Sequence, residues 1–294
     1  MKLRDALSFL TQQLRSLYDT PDITHTNAVW LLAHITHLSP TAIVTQLDTY
    51  HLTAQHTDFM HTCVQQLVHE KKPLQYLLGT VPFGELSLYV EPPVLIPRPE
   101  TEEWCMQLIE TITQRGQIPQ IIIDLCTGSG CIALSLAHAF PDSTVYAVDI
   151  QPHAIELVTK NMRAARITNC IPVLSDLYDA LPPLQADIIV ANPPYISETE
   201  YRTLEPHITK WEDPQALVAA DDGLAIITKI IAHAPRFLHP VRTDAHNIPA
   251  QLWIEIGATQ ADAVVRCFLA HHFSSVTVIP DIHCRDRVVT GVYE

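Results

Sequence analysis

The sequence predicts an α/β protein: a mostly parallel, doubly wound sheet of seven strands, preceded by a small helical bundle and a β-hairpin connector. Three observations carry this prediction. Near the start, Leu3, Leu7, Leu10, Leu14 and Leu17 recur at three- and four-residue steps, which is the period of an amphipathic helix. At Leu86 to Val90, apolar and polar residues alternate between flanking glycines and prolines, which is the period of a strand. From Ile121 onward, short apolar runs alternate with helical-period stretches, and successive β-α-β units read this way.

The first element, residues 1–72, is expected to be a helical substrate-docking domain. Val29, Leu32 and Ile35 repeat the helical step within Asn27 to Leu38. Ser39-Pro40 reads as an N-cap followed by proline at the first helical position, opening a helix through Leu47. Phe59, Cys63 and Leu67 mark a further helix, closed by Lys71-Lys72-Pro73. Residues 73–97 are the expected hairpin linker. It runs into Arg98-Pro99-Glu100-Thr101-Glu102-Glu103, where carboxylates just inside a helix start suit the positive end of its dipole. Arg98 is open between a solvated charge and a lid residue over the site.

Residues 98–294 hold the sheet. Its expected strands are Ile121–Leu125, Val145–Asp149, Cys170–Leu174, Ile188–Ala191, Leu252–Ile256, Ser275–Ile279 and Val288–Tyr293. Only Asp281 to Arg287 separates the last two, too short a stretch for a crossover helix, so they are expected to be antiparallel.

Composition sets limits on function. Of 294 residues, 47% are hydrophobic and 17% charged, enough for a sizeable core and unlike a disordered chain. A net charge of −14 argues against affinity built on neutralising phosphates, so no nucleic-acid partner is expected. The 7 cysteines form no CxxC pair and no secretory leader is seen, which fits reduced thiols in a cytoplasmic protein. Although there are 16 histidines, they lack paired ligand spacing, and no metal is expected. No apolar run is long enough for a membrane span. A monomer is expected.

Two stretches carry the chemistry. In the first, Cys126-Thr127-Gly128-Ser129-Gly130 turns from strand to helix, where backbone N–H groups can meet a ligand closely. Asp149 ends the next strand and can accept both hydroxyls of a ribose. Ala133 completes a dinucleotide-like spacing, so this loop alone leaves S-adenosylmethionine and NAD both open. Asp124 favours the sulfonium ligand, since its charge can hold the turn and face the methionine amino group. Asp176 can accept the adenine amino group, and Leu177 can cover the ring.

The second stretch is Asn192-Pro193-Pro194-Tyr195. Its prolines stop the strand Ile188–Ala191 and leave a stiff loop that offers an amide, unpartnered carbonyls and an aromatic face. Such a site suits a planar amide or exocyclic amino group. It lies beside the glycine turn if the strand order reverses there. A methyl-transfer enzyme acting on nitrogen needs that clamp, whereas a hydride-transfer enzyme does not.

Together, Val94-Leu-Ile-Pro-Arg-Pro-Glu-Thr-Glu102, Asp124-Leu-Cys-Thr-Gly-Ser-Gly130, Asn192-Pro-Pro-Tyr195 and Asp221-Asp-Gly223 resemble the PrmC (HemK) family of release factor glutamine N5-methyltransferases. The likeness extends to Pro73-Leu-Gln-Tyr-Leu-Leu-Gly79 and Arg285-Asp-Arg-Val-Val289. It implies a seven-stranded Rossmann-like methyltransferase domain, S-adenosylmethionine as cofactor with S-adenosylhomocysteine as product, and a glutamine in the Gly-Gly-Gln tip of class-I peptide-chain release factors as substrate. Asn192, Pro193 and Tyr195 are then the catalytic candidates, with Pro194 beside them against the substrate. Cofactor contacts fall to Asp124, Cys126, Thr127, Gly128, Ser129, Gly130, Asp149, Asp176, Leu177 and Asn192. Whether Arg98 and Glu100 touch substrate or brace a lid stays open.

There are two departures from the family pattern. Cys126 stands where the usual loop has its first glycine, and it is expected to be tolerated at negative φ. Pro240 to Gln251 lacks the usual Pro-Gly-Gly and looks longer. The rival readings are a methyltransferase acting on amino groups of nucleic acid or on a ribosomal-protein glutamine, a dinucleotide oxidoreductase, and a non-catalytic nucleoside-binding adaptor.

Overall fold

The computed structural model describes residues 1–18, 20–240 and 250–294. Most of the Pro240–Gln251 departure, residues 241–249, therefore lies outside the described residues. The chain forms two compact units: Met1–Gly79 with Glu205–Trp211, and Thr80–Leu204 with Glu212–Glu294.

The first unit is helical. It contains α1 (Leu3–Leu14), α2 (Pro21–Thr36), α3 (Pro40–Thr45), α4 (Ala54–Val64) and α5 (Leu74–Leu78). Thr20, Ser39 and Thr53 cap α2, α3 and α4 by accepting from the backbone N–H groups of Ile23, Ala42 and His56, which satisfies donors that a helix start leaves unpaired. The leucine stripe of α1 faces Leu31, Leu32 and Ile35 of α2 in one buried cluster. The α4 stripe runs through Met60, Cys63 and Val64, while Phe59, taken from sequence as part of it, is 42% exposed. Pro73 to Leu78 does not belong to the hairpin. Pro73 precedes the short α5, which Gly79 closes in a left-handed conformation at φ +77°, the usual helix stop. Trp211 joins this unit by donating from Nε1 to the Glu70 carbonyl at 3.2 Å, with Lys72 over its ring.

The second unit opens with the hairpin β1 (Thr80–Phe83) and β2 (Leu86–Tyr89) and continues into α6 (Pro99–Arg115). The sheet follows: β3 (Ile121–Leu125), α7 (Cys131–Ala139), β4 (Thr144–Asp149), α8 (Pro152–Ala165), β5 (Cys170–Leu174), β6 (Ile188–Ala191), β7 (Leu252–Glu255), β8 (Phe273–Pro280) and β9 (Asp286–Tyr293). Two later helices, Ala225–His233 and Ala261–Ala270, complete the layers. The strand order is β5-β4-β3-β6-β7-β9-β8. Neighbours are parallel except at β9, which is antiparallel to both β7 and β8. The expected antiparallel final pair is thus present, with β9 inserted between its predecessors. β8 extends beyond the expected Ser275–Ile279 because it absorbs a register shift between Ser274 and Thr277, with Ser275 at φ +49°. Such bulges let a strand stay paired around an irregular residue.

Side-chain alternation in the sheet explains the two apolar layers. Ile122, Ile188 and Val190 bury against Trp104, Leu108, Leu134 and Val158 on one face. Ile123, Leu125 and Ile189 bury against Ile227, Ile230, Val264 and Phe268 on the other. Each such side chain contributes about 1.5–3 kcal/mol on burial, so β3 and β6 are firmly held. β3 and β6 stay paired to their carboxyl ends, Leu125 beside Ala191, and β4 and β7 lie on opposite sides of this pair.

Candidate active site

The turn after β3 is built on the backbone. Thr127 N–H donates to the Val148 carbonyl at 2.9 Å, and Gly130 N–H donates to Thr127 at 2.9 Å. Gly128, at φ +55°, donates its N–H to Asp149 Oδ2 at 2.9 Å. The other Asp149 oxygen accepts Gln151 N–H at 2.9 Å. Burial raises the Asp149 pKa, and the Gln151 and Gly128 bonds pull it back. Cys126 sits at φ +58°, so the negative φ on which its easy tolerance depended is not met. A non-glycine residue there carries about 1–2 kcal/mol of strain, held in place by the bonds of the turn. Burial also drives the Cys126 thiol well above its usual range, so it stays protonated.

Beneath the turn, Asp124 is 0% exposed. Its Oδ2 accepts Thr127 Oγ1 at 2.6 Å and Ala133 N–H at 3.1 Å. Oδ1 is buried with no hydrogen-bond partner. Desolvation pushes the carboxyl up to about 7, with the Thr127 and Ala133 bonds opposing and the Asp149 charge reinforcing.

A cavity of about 440 Å³ lies over this turn, within the range of small-molecule sites. Cys126, Thr127, Gly128, Ser129, Asp149, Asp176, Leu177, Asn192, Pro194 and Arg98 line it. Asp124, Gly130, Pro193, Tyr195 and Glu100 are not in its wall. Gly130 instead caps α7 at φ +82°. Arg98 donates to the buried Glu212 carboxylate at 2.6 Å, so it is paired and not simply solvated. Asn161 of α8 ties the hairpin to the turn, donating from Nδ2 to both the Tyr89 and Ser129 carbonyls. These partners suit an S-adenosyl group. Glycine lets the backbone approach, and the Asp149 carboxylate stands in the wall at the end of β4.

Sequence reasoning missed what lies behind Asn192. Its Nδ2 donates to Thr101 Oγ1 at 3.1 Å. Thr101 Oγ1 donates to Glu255 Oε2 at 2.7 Å, and Trp104 Nε1 donates to the same oxygen at 2.8 Å. Tyr195 Oη donates to Glu255 Oε1 at 3.2 Å. Glu255 is 1% exposed. Burial raises its pKa, opposed by the Trp104 and Thr101 bonds and the Arg287 charge. Burial and the Glu255 charge also raise the Tyr195 phenol. The signal for Glu255 was a single charge in the otherwise apolar run Leu252-Trp-Ile-Glu-Ile256. Gln260 holds the same loop from its backbone, donating from Nε2 to the Tyr195 and Asp222 carbonyls at 2.9 and 3.0 Å. Among the described residues, no group of three or more metal-ligating side chains occurs, and no helix is long and apolar enough to cross a membrane.

Residues 5–79 match the family described as PrmC N-terminal domain, and residues 105–210 match the methyltransferase small domain. A release factor glutamine methyltransferase of Escherichia coli is 34% identical over 270 residues, covering 90% of each chain. One from Thermodesulfovibrio yellowstonii is 34% identical over 220 residues, covering 75% of this chain and 76% of the relative. Among solved structures, a Thermus thermophilus 16S rRNA N2 G1207 methyltransferase in complex with AdoMet and guanosine aligns with TM-score 0.51 and 16% identity. It covers 73% of this chain and 50% of that one, a likeness of fold alone.

Proposed function

The chain belongs to the release factor glutamine methyltransferase family, and from that premise we propose that it methylates the side-chain amide nitrogen (N5) of the Gly-Gly-Gln glutamine in class-I peptide-chain release factors. It is an S-adenosylmethionine-dependent methyltransferase. We read it as a cytoplasmic monomer in which residues 1–72 dock the protein substrate.

S-Adenosylmethionine, when bound, supplies an electrophilic methyl group on sulfur. Asp149 and the Gly128 turn would hold its ribose, with Asp176 and Leu177 at the adenine, while Asp124 braces the turn from beneath through Thr127 and Ala133. The substrate nitrogen is a weak nucleophile, because its lone pair is delocalised into the amide carbonyl. In this reading Asn192 Oδ1 and the Pro193 carbonyl accept its two N–H groups. That turns the lone pair toward the methyl carbon and favours a pyramidal nitrogen. Tyr195 packs beside the amide and excludes water. Asn192 and Pro193 would hold the two amide protons during the transfer, and the one displaced by the methyl group would pass to solvent as S-adenosylhomocysteine is left. Orientation and fixed dipoles provide the acceleration, with no strong base required.

One observation carries the reading: Asn192 lies in the cavity wall with its amide nitrogen engaged by Thr101, which leaves Oδ1 as the acceptor. The net charge of −14 supports a protein over a nucleic-acid substrate. The test uses radiolabelled S-adenosylmethionine with a purified release factor, its Gly-Gly-Gln glutamine→alanine variant, and ribosomal RNA. Label on the wild-type factor alone is expected, and label on RNA without label on protein overturns the reading. Asn192→Ala is expected to lower kcat by about 100-fold or more, with a smaller effect on cofactor affinity.

A further inference from the structure

We propose that Thr101 and Glu255 are positioning residues that decide which end of the Asn192 amide faces the substrate. The proposal rests on the reading of Asn192 as an acceptor of the substrate N–H.

The argument follows the donors. The oxygen and nitrogen of an asparagine amide are nearly equal in shape, so only bonding partners fix their order. Trp104 Nε1–H can only donate, and it does so to Glu255 Oε2 at 2.8 Å. The same oxygen takes the Thr101 hydroxyl proton at 2.7 Å. Oε2 thus accepts from both Trp104 Nε1 and the Thr101 hydroxyl, so the single Thr101 proton is committed to Glu255. Toward Asn192, Thr101 Oγ1 is therefore an acceptor only. It meets Nδ2 at 3.1 Å, and a flipped amide would set two acceptors face to face. The other oxygen of Glu255 takes the Tyr195 hydroxyl at 3.2 Å. One buried carboxylate, at the end of β7, thus holds both ends of the Asn192–Tyr195 loop. Its burial is supported by three donors and by the Arg287 charge, and the known reaction needs no proton from it.

The test is a set of variants in the full chain, read as kcat and KM for the release factor and for S-adenosylmethionine. Thr101→Val removes the hydroxyl at nearly constant volume. It is expected to lower kcat by about ten-fold or more, with the cofactor KM held within about two-fold, and Thr101→Ser restores turnover. In an Asn192→Ala background, Thr101→Val adds no further loss, because its effect runs through the missing amide. Glu255→Leu loses turnover. Glu255→Gln recovers it, since donor-only Trp104 keeps the new amide oxygen at the Oε2 position and preserves the polarity of Thr101. Full turnover by Thr101→Val beside a dead Asn192→Ala overturns this proposal alone, as does a Thr101→Val loss that multiplies with that of Asn192→Ala. An Asn192→Ala enzyme with normal turnover instead overturns the reading beneath it.

Discussion

Asp124 makes the ligand-free protein less stable as pH rises, and the size of the effect follows from its surroundings. The carboxyl is 0% exposed, its Oδ1 has no partner, and its pKa stands at about 7 against a usual value of 3.8. Burial is the main cause, with the Asp149 charge adding to it and the Thr127 and Ala133 bonds opposing. Below the unfolded value both states are protonated and nothing is lost. Between roughly pH 4 and 7 the unfolded chain gives up the proton while the folded one keeps it, so stability falls with each unit. Above about 7 the loss is complete at about 4 kcal/mol, taking about 1.4 kcal/mol for each of about three units. An Asp124→Asn variant keeps a neutral group and both Oδ2 bonds at every pH. Relative to wild type it gains about 3 kcal/mol between pH 5 and pH 8. Hydrogen exchange at the Ile121–Leu125 and Ile188–Ala191 amides reads the sheet unit directly. Identical pH dependence in the two proteins would refute the burial argument.

Two further substitutions probe the loops. At Gly223, φ is +84° and an added Cβ would lie 2.0 Å from the Tyr195 carbonyl oxygen. Gly223→Ala thus displaces the Asn192–Tyr195 loop and is expected to lower kcat by about ten-fold or more, about 1–2 kcal/mol of the cost being conformational. Cofactor binding measured by calorimetry remains, and wild-type turnover would contradict the close approach. Asp149→Ala leaves the Gly128 and Gln151 N–H groups without their acceptor. S-Adenosylhomocysteine affinity should fall about 10- to 100-fold, as expected for losing bonds to a charged group. Unchanged affinity in a titration would remove Asp149 from the cofactor site.

Much of this protein was legible in its sequence because the signals are local. The leucine step of α1, the apolar runs of β3 and β6, the glycine turn and the prolines after Asn192 all act within a few residues. Each is dictated by periodicity or by φ restriction. The reversal of strand order between β3 and β6 entered the sequence reading only as a condition for bringing the two loops together, and the sheet meets it. Pro73 to Leu78 was misread because a proline can open a helix as well as end one. Phe59 lies in α4 as read, though Met60 beside it is the residue that faces the core. The sign of φ at Cys126 was not legible, because a loop's handedness is set by what it bonds, here Val148 and Asp149 across the sheet.

The sequence by itself determined the fold class and singled out the glycine turn and the Asn192–Tyr195 loop as candidates for cofactor and substrate. Tertiary structure alone decided how that loop is held. Glu255 stands 154 residues from Thr101 and 60 from Tyr195, and no local pattern links positions so far apart. Only the pairing of β7 with β6 and the packing of α6 bring that carboxylate to Thr101, Trp104 and Tyr195. There burial makes each donor's choice of partner binding, because a buried polar group without one carries the full cost of lost hydration.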